Sequence, residues 1–547
     1  MKLLKVLFAC AVPGLLLSCK EKKGNMDLII FNATIYTADE NFSVARSAAI
    51  KDGKFVAVGT DDEIMGKYRA AETVDLSGKF VYPGFIDPHC HFYGYGSSLV
   101  NADLSGTGSF EEIIEIISQH HENFPSEWIL GRGWDQNRWP VQEFPHRDQL
   151  DRVFPDIPVL LTRVDGHAAA ANSEALRRAA ITPRSTVPGG DFLSRDGELT
   201  GILIDNAIDM VRQHVPAPEY REKVASLMNA QKNCFAVGLT SVGDAGLDRD
   251  IVLLIDSLQK TGDLKMRVYA MLNPTRENYD RFMSRGIYRT DHLNVRAVKL
   301  FADGALGSRG AKLIGQYDDD PGNSGLLLET PANLERISRL AWEHGYQVNT
   351  HCIGDSAVRL VLNIYGDILG GKNDRRWRIE HAQVVHPDDF DLFGKHSVIP
   401  SVQTTHATSD MRWAVHRLGP GRIRGAYAYR QLLEQNGWLP NGSDFPVEHI
   451  NPLYGFHAAV ARKDLDGYPS GGFQVENALS REQALKAMTI WAAMAAFEEE
   501  EKGSIEAGKY ADFVVTDEDL MRMDIGRVPH LKILYTFSGG EKVYRAE

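Results

Sequence analysis

Two histidines separated by a single residue follow an apolar segment in the first fifth of the chain. They are His89 and His91, in the sequence PGFIDPHCH at 83–91. Residues two apart on a strand point to the same side, so both imidazoles face one point while Cys90 faces away. Neutral imidazole is a preferred ligand of Zn²⁺ and related ions. The pair predicts a metal site, although two unrelated surface histidines would have the same spacing.

Four further residues with ligand chemistry stand in or just after short apolar segments. One is Lys299, and a lysine inside an apolar run needs a partner because burying an ammonium is costly. Either its amine reaches solvent or a carboxylate, or the amine is converted to a carbamate, which is an anionic oxygen ligand. The other three are His351, His381 and Asp444. Each alone is more typical of a core or loop residue, but together with the histidine pair they form an ordered ligand set.

The segments that carry these residues alternate between strands and helices. Capping boxes at Ser109 and Ser480 precede apolar residues at helical spacing. Short apolar strands are predicted at 159–161, 298–301, 347–350 and 398–399. This alternation predicts a parallel sheet covered on both faces. Roughly 410 residues of it favour an α/β fold of the (β/α)8 TIM barrel type, with insertions, over two smaller domains.

Both ends of the chain are β-rich instead. Residues 26–83 contain apolar strand-like runs with a hairpin signal at Asp52-Gly53, and residues 500–547 contain two more such runs. We expect 26–83 and 500–547 to form one small β-sandwich domain. The barrel would then occupy 84–499, with an insertion around 100–215.

The first residues resemble a bacterial lipoprotein signal. A short basic start precedes an apolar stretch that is too short to span a bilayer, and Leu16-Leu17-Ser18-Cys19 resembles a lipobox. The resemblance implies a signal peptide at 1–18, lipid on Cys19 and a tether at 19–25. The protein would be exported and held at a membrane by this anchor alone, and the absence of Asp after Cys19 favours the outer membrane. A general signal peptide with a coincidental cysteine is the alternative.

The charge composition of the chain limits the kinds of partner that we expect it to bind. The 547 residues include 60 Lys and Arg against 73 Asp and Glu, for a net charge of -13. Such an acidic chain argues against a nucleic-acid partner, because phosphate binding needs clustered basic residues. We expect a small-molecule substrate instead. The oligomeric state is open, with a homo-oligomer among the alternatives.

The ordered ligand set and its flanking motifs resemble the amidohydrolase superfamily. The best match is amidohydrolase family 3, which includes proteins like N-substituted formamide deformylase. The matching motifs cover nearly the whole chain after the signal: PGFIDPHCH at 83–91, GRGWDQNRW at 131–139, RVDGHAAAANSEAL at 163–176, KLFADGALGSRGA at 299–311, NTHCIGD at 349–355, IEHAQ at 379–383, GSDFPV at 442–447 and GSIEAGKYADFVV at 503–515.

The resemblance implies a hydrolase that cleaves a non-peptide carbon–nitrogen bond of a small molecule, with a hydroxide that bridges two divalent metal ions. Zn²⁺ is the default ion, while Mn²⁺, Co²⁺ and Fe²⁺ suit similar ligands. Asp444 would take the proton of the hydroxide and pass it to the leaving nitrogen. For the first ion, the implied ligands are His89 and His91 at the end of the first barrel strand and Asp444 at the end of the eighth. For the second ion they are His351 and His381, at the ends of the fifth and sixth strands. Lys299, at the end of the fourth strand, would be carboxylated by CO₂ and bridge both ions.

Two further residues are candidates for substrate contacts. His167 could reach the substrate from an insertion loop or be a structural loop residue. Asp303 could shape the pocket or brace the loop after Lys299. Two alternatives to the binuclear hydrolase remain: a mononuclear deaminase-like hydrolase with unmodified Lys299, and a catalytically silent binding lipoprotein on the same scaffold.

Overall fold

A computed structural model describes residues 23–547 of the chain. The predicted signal peptide, Cys19 and most of the predicted tether lie outside the described residues. Within residues 23–547, no helix combines the length and the apolar character needed to cross a bilayer.

The strands of the described chain are, in order, β1 (Gly24–Phe31), β2 (Thr34–Tyr36), β3 (Val44–Ala45), β4 (Ser47–Lys51), β5 (Lys54–Gly59), β6 (Tyr68–Asp75), β7 (Phe80–Pro83), β8 (Phe85–Cys90), β9 (Ala102–Asp103), β10 (Ile129–Trp134), β11 (Val159–Arg163), β12 (Ala168–Ala171), β13 (Gly190–Arg195), β14 (Glu198–Asp205), β15 (Leu239–Leu247), β16 (Arg267–Leu272), β17 (Tyr288–Arg289), β18 (Leu293–Phe301), β19 (Gln347–Cys352), β20 (Arg378–His381), β21 (Ile399–Ser401), β22 (Phe513–Thr516), β23 (Ile533–Ser538) and β24 (Glu541–Arg545).

The α-helices of the same residues are α1 (Asp61–Lys67), α2 (Phe92–Ser98), α3 (Phe110–Asn123), α4 (Asp148–Val153), α5 (Ser173–Arg178), α6 (Asn206–Arg212), α7 (Tyr220–Ala236), α8 (Arg249–Thr261), α9 (Arg276–Arg281), α10 (Pro331–Glu343), α11 (Asp355–Leu369), α12 (Phe390–His396), α13 (Thr404–Asp410), α14 (Ala414–Arg422), α15 (Tyr429–Asn436), α16 (Pro452–Ala461), α17 (Arg481–Ala487) and α18 (Ile490–Ala495).

Seven parallel strands form the central sheet in the order β8-β15-β16-β18-β19-β20-β21. Segment 441–445 takes the eighth position of the barrel through backbone hydrogen bonds to its neighbours. Asn441 bridges β21 through Val402, the Asp444 amide donates to the His89 carbonyl at 2.9 Å, and the His91 amide donates to the Phe445 carbonyl at 2.8 Å. The sheet therefore closes into a TIM-like barrel, as the alternation of elements predicts.

The barrel elements follow from their residues. All six side chains of β16 are buried, which suits a strand covered on both faces. Helix α8 buries one apolar face that includes Ile251 and Ile255, and it ends at Gly262, whose φ of 81° is the left-handed conformation that a helix end favours.

The insertion is a second sheet between β8 and β15. Its order is β13-β14-β12-β11-β10-β9, so the strand predicted at 159–161 belongs to this sheet and not to the barrel. Trp134 and Trp139 are buried in its core, and the Trp134 indole donates to the Leu161 carbonyl at 2.8 Å. This sheet places the loops around Arg132 and His167 over one end of the barrel.

Strands from both ends of the chain form two more sheets. One has the order β5-β4-β1-β6, and the other, β24-β23-β22-β7-β2-β3, joins amino-terminal and carboxy-terminal strands. Ile30 and Phe55 of the first share a buried cluster with Val81, Phe513 and Phe537 of the second. That these strands form a separate β-sandwich domain of 26–83 and 500–547 stays a prediction.

Candidate metal centre and active-site cavity

The predicted ligands lie at the carboxyl ends of barrel strands. Four of them stand in or at the end of β8, β18, β19 and β20, and His91 directly precedes α2. Asp444 lies in the segment that fills the eighth position. Because all these strands are parallel, their carboxyl ends meet at one face of the barrel. The structure therefore brings together all six predicted ligands: His89, His91, Lys299, His351, His381 and Asp444.

The tightest group consists of His89, His91 and Asp444. Asp444 Oδ1 lies 3.5 Å from His89 Nε2 and 3.2 Å from His91 Nε2, and one ligand atom from each residue lies within 4.8 Å of the others. Asp444 Oδ1 is buried and accepts no hydrogen bond from the described residues. An unpaired buried carboxylate oxygen that faces two imidazole nitrogens fits a divalent cation with nitrogen and oxygen ligands.

Lys299 lies beside this group and is fully buried. Its Nζ is 3.0 Å from His89 Nε2, and within residues 23–547 no carboxylate oxygen comes within 4.0 Å of it. Burial lowers the pKa of Lys299, and the more distant Glu380 and Asp444 oppose this effect. An ammonium here has no counter-charge in direct contact, whereas a carbamate would place an anion beside the histidines.

His351 and His381 form the other side of the site. Their ring centroids are 4.6 Å apart, and the His381 ring is 4.8 Å from that of His89. Burial, followed by the charge of neighbouring histidines, holds the pKa of both well below the usual range. Neutral imidazole is the form that binds metal. His381 Nδ1 lies 2.7 Å from Gln403 Oε1, which orients the ring.

Two candidate ligands also have an uncommon backbone. Asp444 has a φ of 60° and His381 a φ of 73°, both in the left-handed region that non-glycine residues rarely adopt. Such conformations cost of order 1–3 kcal/mol each and persist where the surrounding structure holds them. Here the hydrogen bond of the Asp444 amide to the His89 carbonyl holds one of them in the closed barrel.

Glu380 is a site residue that the sequence analysis missed. Its Oε2 lies 2.5 Å from His89 Nδ1, both side chains are fully buried, and Arg378 Nη1 is 3.6 Å from Oε1. Burial would raise the pKa of Glu380, but His89, Arg378 and Lys299 together lower it to about 2. With Nδ1 of His89 donating to Glu380, Nε2 is left for a metal. The signal in the sequence was a carboxylate in an apolar strand directly before His381.

A cavity of about 660 Å³ opens above the site. Asp444, His351 and His381 form its base, and the insertion supplies one wall. His167 lines this wall; its ring is 4.9 Å from that of His351, and its Nδ1 lies 2.6 Å from Asp205 Oδ1. Its contact with a substrate stays a prediction.

The structure corrects the expectation for Asp303. This carboxylate is fully buried, and it is not among the residues that line the cavity. Its oxygens accept backbone hydrogen bonds from Lys312 at 2.8 Å, from Ile353 at 3.0 Å and from Gly354 at 2.8 Å. Both oxygens are occupied, so Asp303 braces the loop after β18, which is the alternative role considered for it.

Comparison with known proteins identifies the family of the chain. The profile of the amidohydrolase family (family 3) matches residues 72–544. The chain is 33% identical to Protein LONG AFTER FAR-RED 3 of Arabidopsis thaliana, over 95% of this chain and 91% of the relative. It is 28% identical to N-substituted formamide deformylase of Arthrobacter pascens, over 94% and 97%.

A solved structure shows the same fold. The crystal structure of an uncharacterized metal-dependent hydrolase from Pyrococcus horikoshii superposes with a TM-score of 0.74 at 30% identity, covering 91% of this chain and 99% of the other. The family profile spans most of the chain. The chain therefore belongs to amidohydrolase family 3, and it is a metal-dependent hydrolase of the amidohydrolase superfamily.

Proposed function

We propose that the protein hydrolyses the amide bond of an N-substituted formamide, or of a similar non-peptide amide, in a small molecule. The observation that carries this proposal is the cluster of His89, His91 and Asp444, with its unpaired carboxylate oxygen at the base of a cavity of about 660 Å³. The formamide is suggested by the relative from Arthrobacter pascens, which the chain matches over nearly its whole length.

The residues around this cluster support a site for two divalent ions, with Zn²⁺ as the default. His89, His91 and Asp444 would hold one ion, and His351 and His381 the other. Lys299 would join them as a carbamate, formed when its amine nitrogen bonds to the carbon of CO₂ and loses a proton. The close contact of Lys299 with His89, without a carboxylate in direct contact, supports this modification. Bound divalent ions supply Lewis acidity to a substrate carbonyl and to water.

The chain's own residues then place and move the proton. Asp444 lines the cavity, so its carboxylate takes a proton from the attacking water as oxygen bonds to the formyl carbon. The same carboxylic acid returns that proton to the amide nitrogen as the carbon–nitrogen bond breaks. The products are formic acid and a free amine, which become formate and the protonated amine at neutral pH. His167, held by Asp205, contacts the substrate from the opposite wall.

Metal content and formate release test this proposal together. We would measure metal per chain by elemental analysis in the native protein, in Lys299→Ala and in Lys502→Ala. Lys502 is the matched control, because it is also buried but is paired with Glu498 at 2.7 Å and lies outside the cavity. We expect two metals in the native protein and in Lys502→Ala, and at most one in Lys299→Ala. Native protein should release formate from N-butylformamide.

Other outcomes would separate the alternatives. One metal in all three proteins, with Lys299 of unmodified mass, would contradict the binuclear site and favour the mononuclear deaminase-like hydrolase. No metal after reconstitution, with no turnover, would favour the silent binding protein. Two metals without turnover of any formamide would reject the proposed bond and leave the metal site in place.

We also propose that Cys19 carries a lipid that anchors the exported protein at the outer membrane. The support is the lipobox-like sequence that ends at Cys19. Metabolic labelling with a radioactive fatty acid should label the native protein and leave Cys19→Ala unlabelled. Cys10→Ala, within the predicted signal peptide, is the control and should be labelled like the native protein. Equal labelling of native protein and Cys19→Ala would contradict the anchor, and labelled protein in the inner-membrane fraction would contradict its location.

A further inference from the structure

Arg132 is a cation of the active-site cavity that no carboxylate of residues 23–547 contacts directly. It lies on β10 of the insertion and lines the same cavity as Asp444 and His381. Its Nη2 donates to the Val164 carbonyl at 3.1 Å, while its Nε is enclosed and finds no acceptor within residues 23–547. No carboxylate oxygen of these residues comes within 4.0 Å of the guanidinium. A guanidinium does not lose its charge, so its partial burial without an anion is unfavourable.

The carboxylates that line the cavity already have other partners. The nearby Arg163 shows the contrast, because it is saturated by its neighbours while Arg132 is not. Asp135 and Asp165 contact Arg163, Asp410 accepts from Tyr427 and Gln383, Glu448 accepts from Ser409, and Asp103 accepts from the Ser105 amide. The remaining carboxylate, Asp444, faces His89 and His91 and would be taken up by the metal. Because none of these carboxylates contacts Arg132 directly, its guanidinium is open to an anionic group of a ligand.

The guanidinium is also held in place before any ligand arrives. Strand β10 lies between β9 and β11 in the insertion sheet, and the Val164 carbonyl fixes one arm of the side chain. The turn at Gly166 passes close by, since a Cβ at that position would lie 3.5 Å from Arg132 Nη2. Burial lowers the pKa of Arg132 to about 10, although the charges of Asp165 and Asp444 oppose this effect. A preorganised cation loses little side-chain freedom when an anion binds.

We propose that Arg132 binds a carboxylate group of the substrate, so that the preferred substrates are amides that carry a carboxylate at a distance from the scissile bond. This inference rests on the proposed amide hydrolysis, and it adds a specificity determinant to it. The planar guanidinium offers parallel N–H donors that match the two oxygens of a carboxylate. An amide with a neutral group in that position would leave Arg132 unpaired.

Paired substrates on metal-loaded protein test the proposal. We would compare kcat/KM for N-formylglycine, N-formyl-β-alanine and N-formyl-γ-aminobutyrate with kcat/KM for the corresponding primary amides. At the best chain length, native protein should prefer the carboxylate by about 10- to 100-fold, the range expected for a hydrogen-bonded ion pair. Arg132→Gln should reduce this ratio to about one, and Arg132→Lys should retain part of it. Arg152→Gln, at an exposed position of α4 outside the cavity, is the matched control and should keep the ratio.

A second measurement decides the question if no formamide is hydrolysed. Ligands that bind the folded protein raise its thermal unfolding midpoint. The carboxylate member of a pair should raise the midpoint of native protein and of Arg152→Gln, but not that of Arg132→Gln with the native metal content. An equal rise in native protein and Arg132→Gln, or an equal preference ratio in both, would overturn the role of Arg132. Turnover of neutral formamides alone would overturn it and leave the proposed hydrolysis intact.

Discussion

Replacing Glu380 with glutamine tests whether the charge of Glu380 orients His89 for metal binding. Glu380 Oε2 lies 2.5 Å from His89 Nδ1, and neither side chain has contact with solvent. Glutamine keeps an acceptor oxygen for Nδ1 but removes the negative charge. A hydrogen bond to a charged group contributes about 1.5–3 kcal/mol, and a neutral one about 0.5–1.5 kcal/mol.

The difference of about 1–1.5 kcal/mol corresponds to roughly tenfold in metal affinity, since 1.4 kcal/mol is a factor of ten. Glu380→Ala also removes the acceptor, so we expect about 100-fold, the upper end for residues that orient a metal ligand. The assay is the metal dissociation constant, measured by competition with a chelator for native protein and both variants.

Glu498→Gln is the matched control for this experiment. Glu498 is another buried glutamate, paired with Lys502 at 2.7 Å and with Asn294 at the amino-terminal end of β18, away from the ligands. Removing its charge leaves a buried cation unpaired, as Glu380→Gln does with Arg378. Native metal affinity in Glu380→Gln, or equal weakening in Glu498→Gln, would refute the orienting role of Glu380.

Three further predictions concern proton transfer, the cavity wall and packing. Asp444→Asn should lower kcat at least about 100-fold while much of the metal stays bound, by activity and elemental analysis, because an amide cannot take up the proton; near-native kcat would remove Asp444 from proton transfer. His167→Asn and Asp205→Asn should each lower kcat/KM about tenfold, and the double variant should lose no more than the worse single one if the pair acts as a unit; additive losses would contradict this. Gly96→Ala should reduce the free energy of unfolding by about 1–3 kcal/mol in a denaturation assay, because the added Cβ would overlap the Ser226 carbonyl. Gly66→Ala, at an exposed position of α1 with free space around it, is the control and should cause no loss in the same assay.

The candidate metal ligands could be proposed from the sequence because their signal is local. A histidine pair at alternate strand positions, or a lysine within an apolar run, shows its chemistry in a few neighbouring residues. Glu380 was missed because its partner, His89, lies 291 residues away along the chain. The role of Asp303 could not be decided from the sequence for the same reason. The backbone amides that donate to it belong to a segment that is distant along the chain.

The barrel was predictable as a class, but its closure was not. Segment 441–445 carries no regular strand pattern, because Pro440 directly precedes it and Gly442 interrupts it. Its place in the barrel depends on hydrogen bonds to β8 and β21 that form only in the folded chain. The insertion sheet shows a similar limit, since the apolar run at 159–161 has the pattern of a barrel strand and differs only in its partners.

The barrel closes through contacts between segments that are far apart along the chain. Ser443 donates to Asp87 at 2.6 Å although 356 residues separate them, and the same junction joins His89 and His91 to Asp444. The pocket of His89, His91 and Asp444 therefore does not exist in a nascent chain until segment 441–445 of the 547 residues has been synthesised and has met β8. A metal bound there would join the first and the last barrel positions, so metal loss should open the barrel at this junction first. Metal would thus be acquired late in folding, after the barrel has closed.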